Sequence, residues 1–239
     1  MGPGTVPAGA GLTPDWHPSP NFGPRRDGAR PDMVVLHYTA MASCEAARDR
    51  LCDPAAEVSA HYLVGPDGRV IHMVQEDQRA WHAGAGAWGP VRDVNSRSIG
   101  IELSNDGTSP FAAAQMDALE RLLPGILARH GIPPARVIGH SDMAPGRKVD
   151  PGPRFDWARL ARRGLAISVT PEGGDMDDSA FAAAMAQADY TATEDPGTLL
   201  CALRLRHRPW ATGPRDATDA GLARALARRF GVDGAKAGA

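Results

Sequence analysis

Two histidines and an aspartate fall where a chain could put them to chemical use. His37 lies near the end of the apolar, β-branched run Met33–Tyr38 (MVVLHY), and His140 directly follows a second short apolar run, Val137-Ile138-Gly139. Asp150 comes ten residues later, inside Gly146-Arg147-Lys148-Val149-Asp150-Pro151-Gly152. Two imidazoles and one carboxylate are donor types that hold a catalytic zinc ion and leave a fourth position open for water. A structural zinc site is more often closed by four protein ligands, cysteines among them. The cysteines here, Cys44, Cys52 and Cys201, are elsewhere in the sequence. Each residue also has an ordinary reading: a strand-end histidine as a satisfied core residue, an aspartate before Pro-Gly as a turn residue. His61, His72 and His82 offer alternative ligands. Residue type and spacing thus leave two readings open, a hydrolytic metal centre or unrelated structural residues.

The elements that must position these groups are legible in outline. Met33–Tyr38 and Ser98–Leu103 (SIGIEL) read as buried strands, and Arg136–Gly139 as a short one. Ser43 can cap a helix that follows it. His61–Val64 and Arg69–Val74 flank Gly65-Pro66-Asp67-Gly68, the pattern of a hairpin. The stretch Gln75–Arg97, polar, glycine-rich and carrying Trp81, His82 and Trp88, reads as a long functional loop. Phe111–His130 reads as a helix with Leu119, Leu122, Leu123, Ile126 and Leu127 on one face, kinked at Pro124 and ended by Gly131. A loop over Ser141–Arg154 and a short helix over Asp156–Arg163 follow. The first 31 residues, rich in Pro and Gly, read as an extended surface arm anchored by Trp16 and Phe22.

Composition shifts at Thr170–Asp178 (TPEGGDMDD), an acidic linker. Three helical patterns come after it, Ser179–Ala188, Gly197–His207 and Thr218–Phe230, the last with Leu222, Leu226 and Phe230 on one face. The expected division is a catalytic domain with its arm over 1–169, a linker over 170–177 and a small helical domain over 178–239.

Charge and length exclude several functions. Lys+Arg total 26 against 28 Asp+Glu, a net charge of -2, which lacks the basic surplus a nucleic-acid binder needs. No apolar run approaches the ~20 residues that span a bilayer. In a helix, eight residues would separate Cys44 from Cys52 by roughly 12 Å, beyond disulfide reach, so idle thiols in a reducing compartment are expected. The N-terminus, MGPGTVPAGAG, has no basic cluster followed by an apolar stretch. A cytoplasmic monomer is the expectation, with a periplasmic one the alternative if an export signal was removed beforehand.

Five ordered segments carry a resemblance: MVVLHYTA, SAHYLVGPDGRVIHMV, WHAGAGAW, NSRSIGIELSN and VIGHSDMAPGRKVDPGP. Together, over roughly Asp32–Leu160, they resemble the zinc-dependent N-acetylmuramoyl-L-alanine amidases of type 2, the family that includes animal peptidoglycan recognition proteins. The resemblance implies an α/β fold, a mixed central sheet flanked by helices. It implies Zn2+ held by His37, His140 and Asp150, with Glu102 handling the proton and Lys148 assisting the transition state. It also implies a peptidoglycan or anhydro-muropeptide substrate, cut between N-acetylmuramic acid and L-alanine. Tyr62 matches a cleft tyrosine, and Trp81, His82, Ala83 and Gly84 match the loop bordering the substrate groove. Asn105 and Ser141 are further polar contacts in this reading. Glu102 sits in an otherwise apolar strand, where a carboxylate needs a partner nearby. Lys148 and Asp150, two apart, point to one side of an extended backbone. Some relatives bind peptidoglycan without cutting it after losing a metal ligand. Here all the matching positions hold competent residues, which favours the enzyme over a recognition module. The last helices faintly resemble a peptidoglycan-binding module, with a packing appendage the equal alternative.

Overall fold

The computed structural model describes residues 13–230, so the start of the arm lies outside the described residues. In chain order the elements are β1 (Asp15–Trp16), β2 (Phe22–Pro24), β3 (Met33–Tyr38), α1 (Cys44–Cys52), β4 (Tyr62–Val64), β5 (Val70–His72) and β6 (Gln78–Ala80). Then come α2 (Val94–Arg97), β7 (Ser98–Leu103), α3 (Ala113–His130), β8 (Val137–Gly139), α4 (His140–Met143) and α5 (Trp157–Arg162). The last described elements are α6 (Asp178–Gln187), α7 (Pro196–His207) and α8 (Ala217–Phe230), and residues 231–239 lie outside the described residues.

Six strands form one mixed sheet in the order β1-β5-β4-β7-β3-β8, and β2 pairs with β6 in a separate two-stranded sheet. Only β4–β5, the expected hairpin, is antiparallel within the large sheet. Side chains alternate across it. Val34, Leu36, Ile99, Ile101 and Leu103 face α3 and α5, where Leu119, Leu123, Ile126, Trp157 and Leu160 complete one buried cluster. Met33, Val35 and Ile138 face the other way, onto Phe181, Met185, Leu199, Leu203, Leu222 and Leu226 of α6–α8. The three last helices therefore share their apolar core with the sheet.

Several local expectations hold. Ser43 Oγ accepts from Ala46 N at 3.1 Å and caps α1. Gly131 takes a left-handed φ of 64° at the end of α3. That helix starts at Ala113, two residues later than expected, and runs to His130 with Pro124 inside it. Cys44, Cys52 and Cys201 are free thiols.

Two expectations need correction. Neither expected loop is structureless, since Gln75–Arg97 contains β6 and α2 and Ser141–Arg154 begins inside α4. The arm is anchored by polar groups, not by Trp16 and Phe22, which are 52% and 45% exposed. Buried Asn21 donates to the carbonyls of Asp53 and Val58, and Arg25 donates to those of Glu76, Asn95, Ser96 and Ser98. An arm with few apolar side chains has little apolar surface to bury, so backbone carbonyls of its neighbours hold it instead.

Candidate active site

Strand parity builds the site. On β3, His37 continues the face of Met33 and Val35, and it ends up at the carboxyl end of a parallel strand, where α/β sheets place their sites. β7 pairs with β3 in a register that sets Glu102 opposite His37. The Glu102 side chain therefore rises on the same face as the His37 ring. β8, on the far side of β3, ends at Gly139, so that His140 opens α4 beside His37. Asp150 returns through a loop whose carbonyl accepts from Ser141 N at 2.9 Å, which ties the aspartate to α4.

The three donors meet. His37 Nδ1 lies 2.9 Å from His140 Nδ1 and 2.9 Å from Asp150 Oδ2, and His140 Nδ1 lies 3.0 Å from the same oxygen. All three residues are buried. The outer nitrogens tell what these atoms are. His140 Nε2 faces the Ala83 carbonyl at 2.8 Å and must donate to it, so in the neutral ring Nδ1 is a bare lone pair. His37 Nε2 has its own outer partner, His82 Nδ1, at 3.0 Å. Lone pairs and a carboxylate thus converge on one point, an arrangement that a cation satisfies. Ligand atoms about 2.0–2.1 Å from a tetrahedral metal stand about 3.3 Å apart, close to the separations here. The residues fit a metal ion.

The electrostatics agree. Burial, reinforced by the His140 ring, lowers the His37 pKa to about 4, which keeps it a neutral donor. Burial, then the Asp150 charge, raises Glu102 to about 8 against the pull of Lys148. Glu102 Oε2 is buried without a hydrogen-bond partner.

A cleft of about 380 Å³ opens over the triad, lined by Trp81, His82, Glu102 and Lys148 as well as Tyr38, Arg50 and Arg147. The structure thus brings together His37, His140, Asp150, Glu102, Lys148, Trp81 and His82. It does not bring the other expected contacts there. Tyr62 pairs with Ile101, one residue off Glu102 in register, so it points to the opposite face and donates to Glu76 Oε1 at 2.7 Å. Ala83 is buried with its carbonyl turned to His140 and Arg147. Gly84 packs on the Arg147 guanidinium. Asn105 is spent on its own turn, donating to the Ser109 carbonyl and accepting from Gly107 N. Ser141 is buried in α4. His61 serves the fold, accepting from Gly100 N at 2.9 Å. His72 stacks on Tyr62 away from the cleft. Sequence reasoning missed Arg50, Arg147 and Tyr38. Arg147 stood beside Lys148 in a quoted segment; nothing local marked Arg50.

Comparisons with known proteins point the same way. Residues 27–153 match the family described as N-acetylmuramoyl-L-alanine amidase. The chain is 32% identical over 234 residues to the N-acetylmuramoyl-L-alanine amidase AmiD of Escherichia coli K12, covering 84% of each protein. It is 35% identical over 160 residues to the 1,6-anhydro-N-acetylmuramyl-L-alanine amidase AmpD of Enterobacter cloacae, covering 60% of this chain and 86% of that one. The solved complex of AmiD with anhydro-N-acetylmuramic acid-L-Ala-D-gamma-Glu-L-Lys superposes with a TM-score of 0.75 at 33% identity, covering 86% of this chain and 92% of the other. AmpDh3 of Pseudomonas aeruginosa with anhydromuramic pentapeptide gives 0.76 at 28% identity over 95% of this chain and 99% of the other.

Proposed function

This chain belongs to the N-acetylmuramoyl-L-alanine amidase family, and from that premise we propose how its cleft performs the hydrolysis and on what substrate. The enzyme is an amidase that cuts the bond between the lactyl carbonyl of N-acetylmuramic acid and L-alanine. The observation that carries this reading is the convergence of His37, His140 and Asp150 at one point beside Glu102. Two nitrogens and one carboxylate oxygen suit zinc in its catalytic, three-ligand form. Zinc bound there supplies a Lewis acid and a water of lowered pKa.

The chain's own residues do the rest. Glu102, raised past neutral by its burial, can take a proton from the attacking water only as the carboxylate, and it then returns that proton to the leaving amine of L-alanine. A bound cation lowers that pKa again, since it favours the carboxylate. Lys148, exposed on the loop before Asp150, lines the same cleft and offers its ammonium to the oxygen that gains charge. Trp81 lines the cleft as well and presents an apolar surface to the sugar or peptide.

Two similar proteins were solved with anhydromuramic peptides, and AmpD bears the anhydro substrate in its name, which supports soluble turnover fragments as the substrate class. The free thiols support a reducing compartment. No helix among the described residues is long and apolar enough to cross a membrane. Fractionating cells that express the native gene tests the compartment, and recovery in the periplasm overturns it.

The deciding experiment digests anhydro-muropeptides and intact sacculi side by side and identifies the products by mass. Free peptides beginning with L-alanine are expected, faster from the soluble fragments. Zinc analysis of the His37→Ala and His140→Ala proteins accompanies it. No cleavage by the zinc-loaded protein, or full zinc occupancy in both variants, overturns the reading.

A further inference from the structure

One dipeptide supplies the outer partners of both histidine ligands. The His82 ring meets His37 Nε2 through its Nδ1, and the Ala83 carbonyl accepts from His140 Nε2. The direction of the first bond is set from its far end. Ser98 Oγ donates to the Val94 carbonyl at 2.6 Å, so it accepts from His82 Nε2 at 3.2 Å. A neutral His82 with its proton on Nε2 has a bare Nδ1, which accepts from His37 Nε2. His37 Nδ1 is thereby left as a lone pair facing the triad. The chain Val94–Ser98–His82–His37 thus fixes one ligand's tautomer, and the Ala83 carbonyl fixes the other's.

The dipeptide is itself pinned by a single side chain. Asn95, buried in α2, accepts through Oδ1 from the backbone N–H of His82 at 3.1 Å and from that of Ala83 at 2.8 Å. Its own carbonyl is held by Arg25 at 3.2 Å. The strand beneath leaves room for the ring, because a Cβ at Gly100 would fall 2.4 Å from His82 ring atoms. Asn95 is not among the residues that line the cleft.

The geometry points to Asn95 as a positioning residue of the metal centre: by clamping His82–Ala83 it holds both histidine ligands in the tautomer and orientation that present Nδ1 to the ion. The inference rests on His37, His140 and Asp150 being zinc ligands. It differs from that reading in placing the control of metal affinity on a side chain remote from ion and substrate.

Zinc affinity of the purified full chain, measured by chelator competition, tests it. Asn95→Ala should weaken zinc binding by about 10–100-fold, the usual cost of losing an outer-shell partner. Asn95→Asp keeps an acceptor oxygen in the same place and should regain most of the loss. At saturating zinc, KM should stay that of the wild type in both. Wild-type affinity in Asn95→Ala overturns the proposal. Equal weakening in Asn95→Asp also overturns it, since that marks a packing effect. If circular dichroism shows that Asn95→Ala does not fold, His82→Leu and His82→Asn decide. Asn keeps an acceptor for His37 Nε2 and should bind zinc more tightly than Leu, and equal affinities overturn the proposal. A wild-type chain that binds no zinc sinks the ligand assignment itself, an outcome separable from all of these.

Discussion

One turn of helix, α4, carries a member of each of two buried polar clusters, and they are built on opposite plans. Asp142, fully buried, accepts from Tyr190 OH at 2.8 Å, from Gly139 N at 2.7 Å and from Arg206 at 2.6 Å. Arg206 also donates to the Val137 carbonyl at 3.0 Å and lies 4.0 Å over the Trp157 ring. In this cluster cation meets anion and donors meet acceptors, with Arg206 Nε left over as a buried donor without a partner. Two residues earlier, His140 joins His37 and Asp150, and there acceptors meet acceptors. A buried cluster that closes on itself serves the fold, whereas one that leaves its lone pairs converging calls for a ligand from outside. The closed cluster is also where α7 and the loop after α6 reach the catalytic layer, through Arg206 and Tyr190.

The contrast is sharpest at Glu102, the group in the open region with the most to lose. Glu102→Gln keeps the shape, cannot accept a proton and makes no hydrogen bond to His37, His140 or Asp150. It should retain zinc and lose about 10²–10⁴-fold in kcat, the span of general acid–base catalysis. Near-normal turnover would move the base elsewhere in the cleft. In the closed region the corresponding test is Arg206→Ala, which strands the Asp142 carboxylate. A loss of about 3–5 kcal/mol in urea unfolding is expected, with zinc affinity of the folded protein preserved. Should zinc affinity fall in step with stability, the two clusters are one unit and the distinction fails.

Lys148 gives a smaller and more specific effect. If its ammonium acts on the oxygen that gains charge, Lys148→Ala should lower kcat by about 10²-fold and move KM less. A change confined to KM makes Lys148 a substrate-binding residue. Its stability should not change, since the side chain is exposed on a loop.

The core of this site was legible because its residues sit on elements with strong local signals. MVVLHY and SIGIEL are apolar, β-branched runs, and the structure forms strands over those same residues, Met33–Tyr38 and Ser98–Leu103. What a strand pattern does not disclose is which face meets which partner. Tyr62 followed a family match into the cleft on paper, yet β4–β7 register turns it toward Glu76. Its neighbour His61 takes the cleft-side face and is consumed by Gly100 N. The clamps were hidden for a different reason. Asn95 and Arg25 bond to backbone groups 12–13 and 51–73 residues away, and no local pattern records such partners. The strand β6 was invisible because its hydrogen bonds go to β2, a Phe-Gly-Pro segment with no strand signal of its own.

Acid provides the gentlest probe of the closed design, through His61. Its Nδ1 accepts from Gly100 N, so Nε2 carries the proton and donates to the Gln78 carbonyl at 3.1 Å, with the Arg25 guanidinium also 3.1 Å away. A second proton would confront an N–H donor on one side and add a cation beside Arg25 on the other. Burial first, and Arg25 second, lower its pKa to about 3. The sign follows from the unfolded state, where a histidine titrates near 6.5. Between about 6.5 and about 3 the unfolded chain binds one more proton at this site than the folded chain does. The neutral ring's contribution is therefore complete above about 6.5 and is lost as pH falls through that window, at no more than about 1.4 kcal/mol per pH unit. His61→Asn keeps an acceptor for Gly100 N and does not titrate. Urea midpoints of both proteins at saturating zinc, from pH 7 to pH 5, should show the variant's stability falling less steeply by up to one proton's worth. Parallel slopes would mean that His61 takes up its proton without loss, and that the network around it is open in the same sense as the triad.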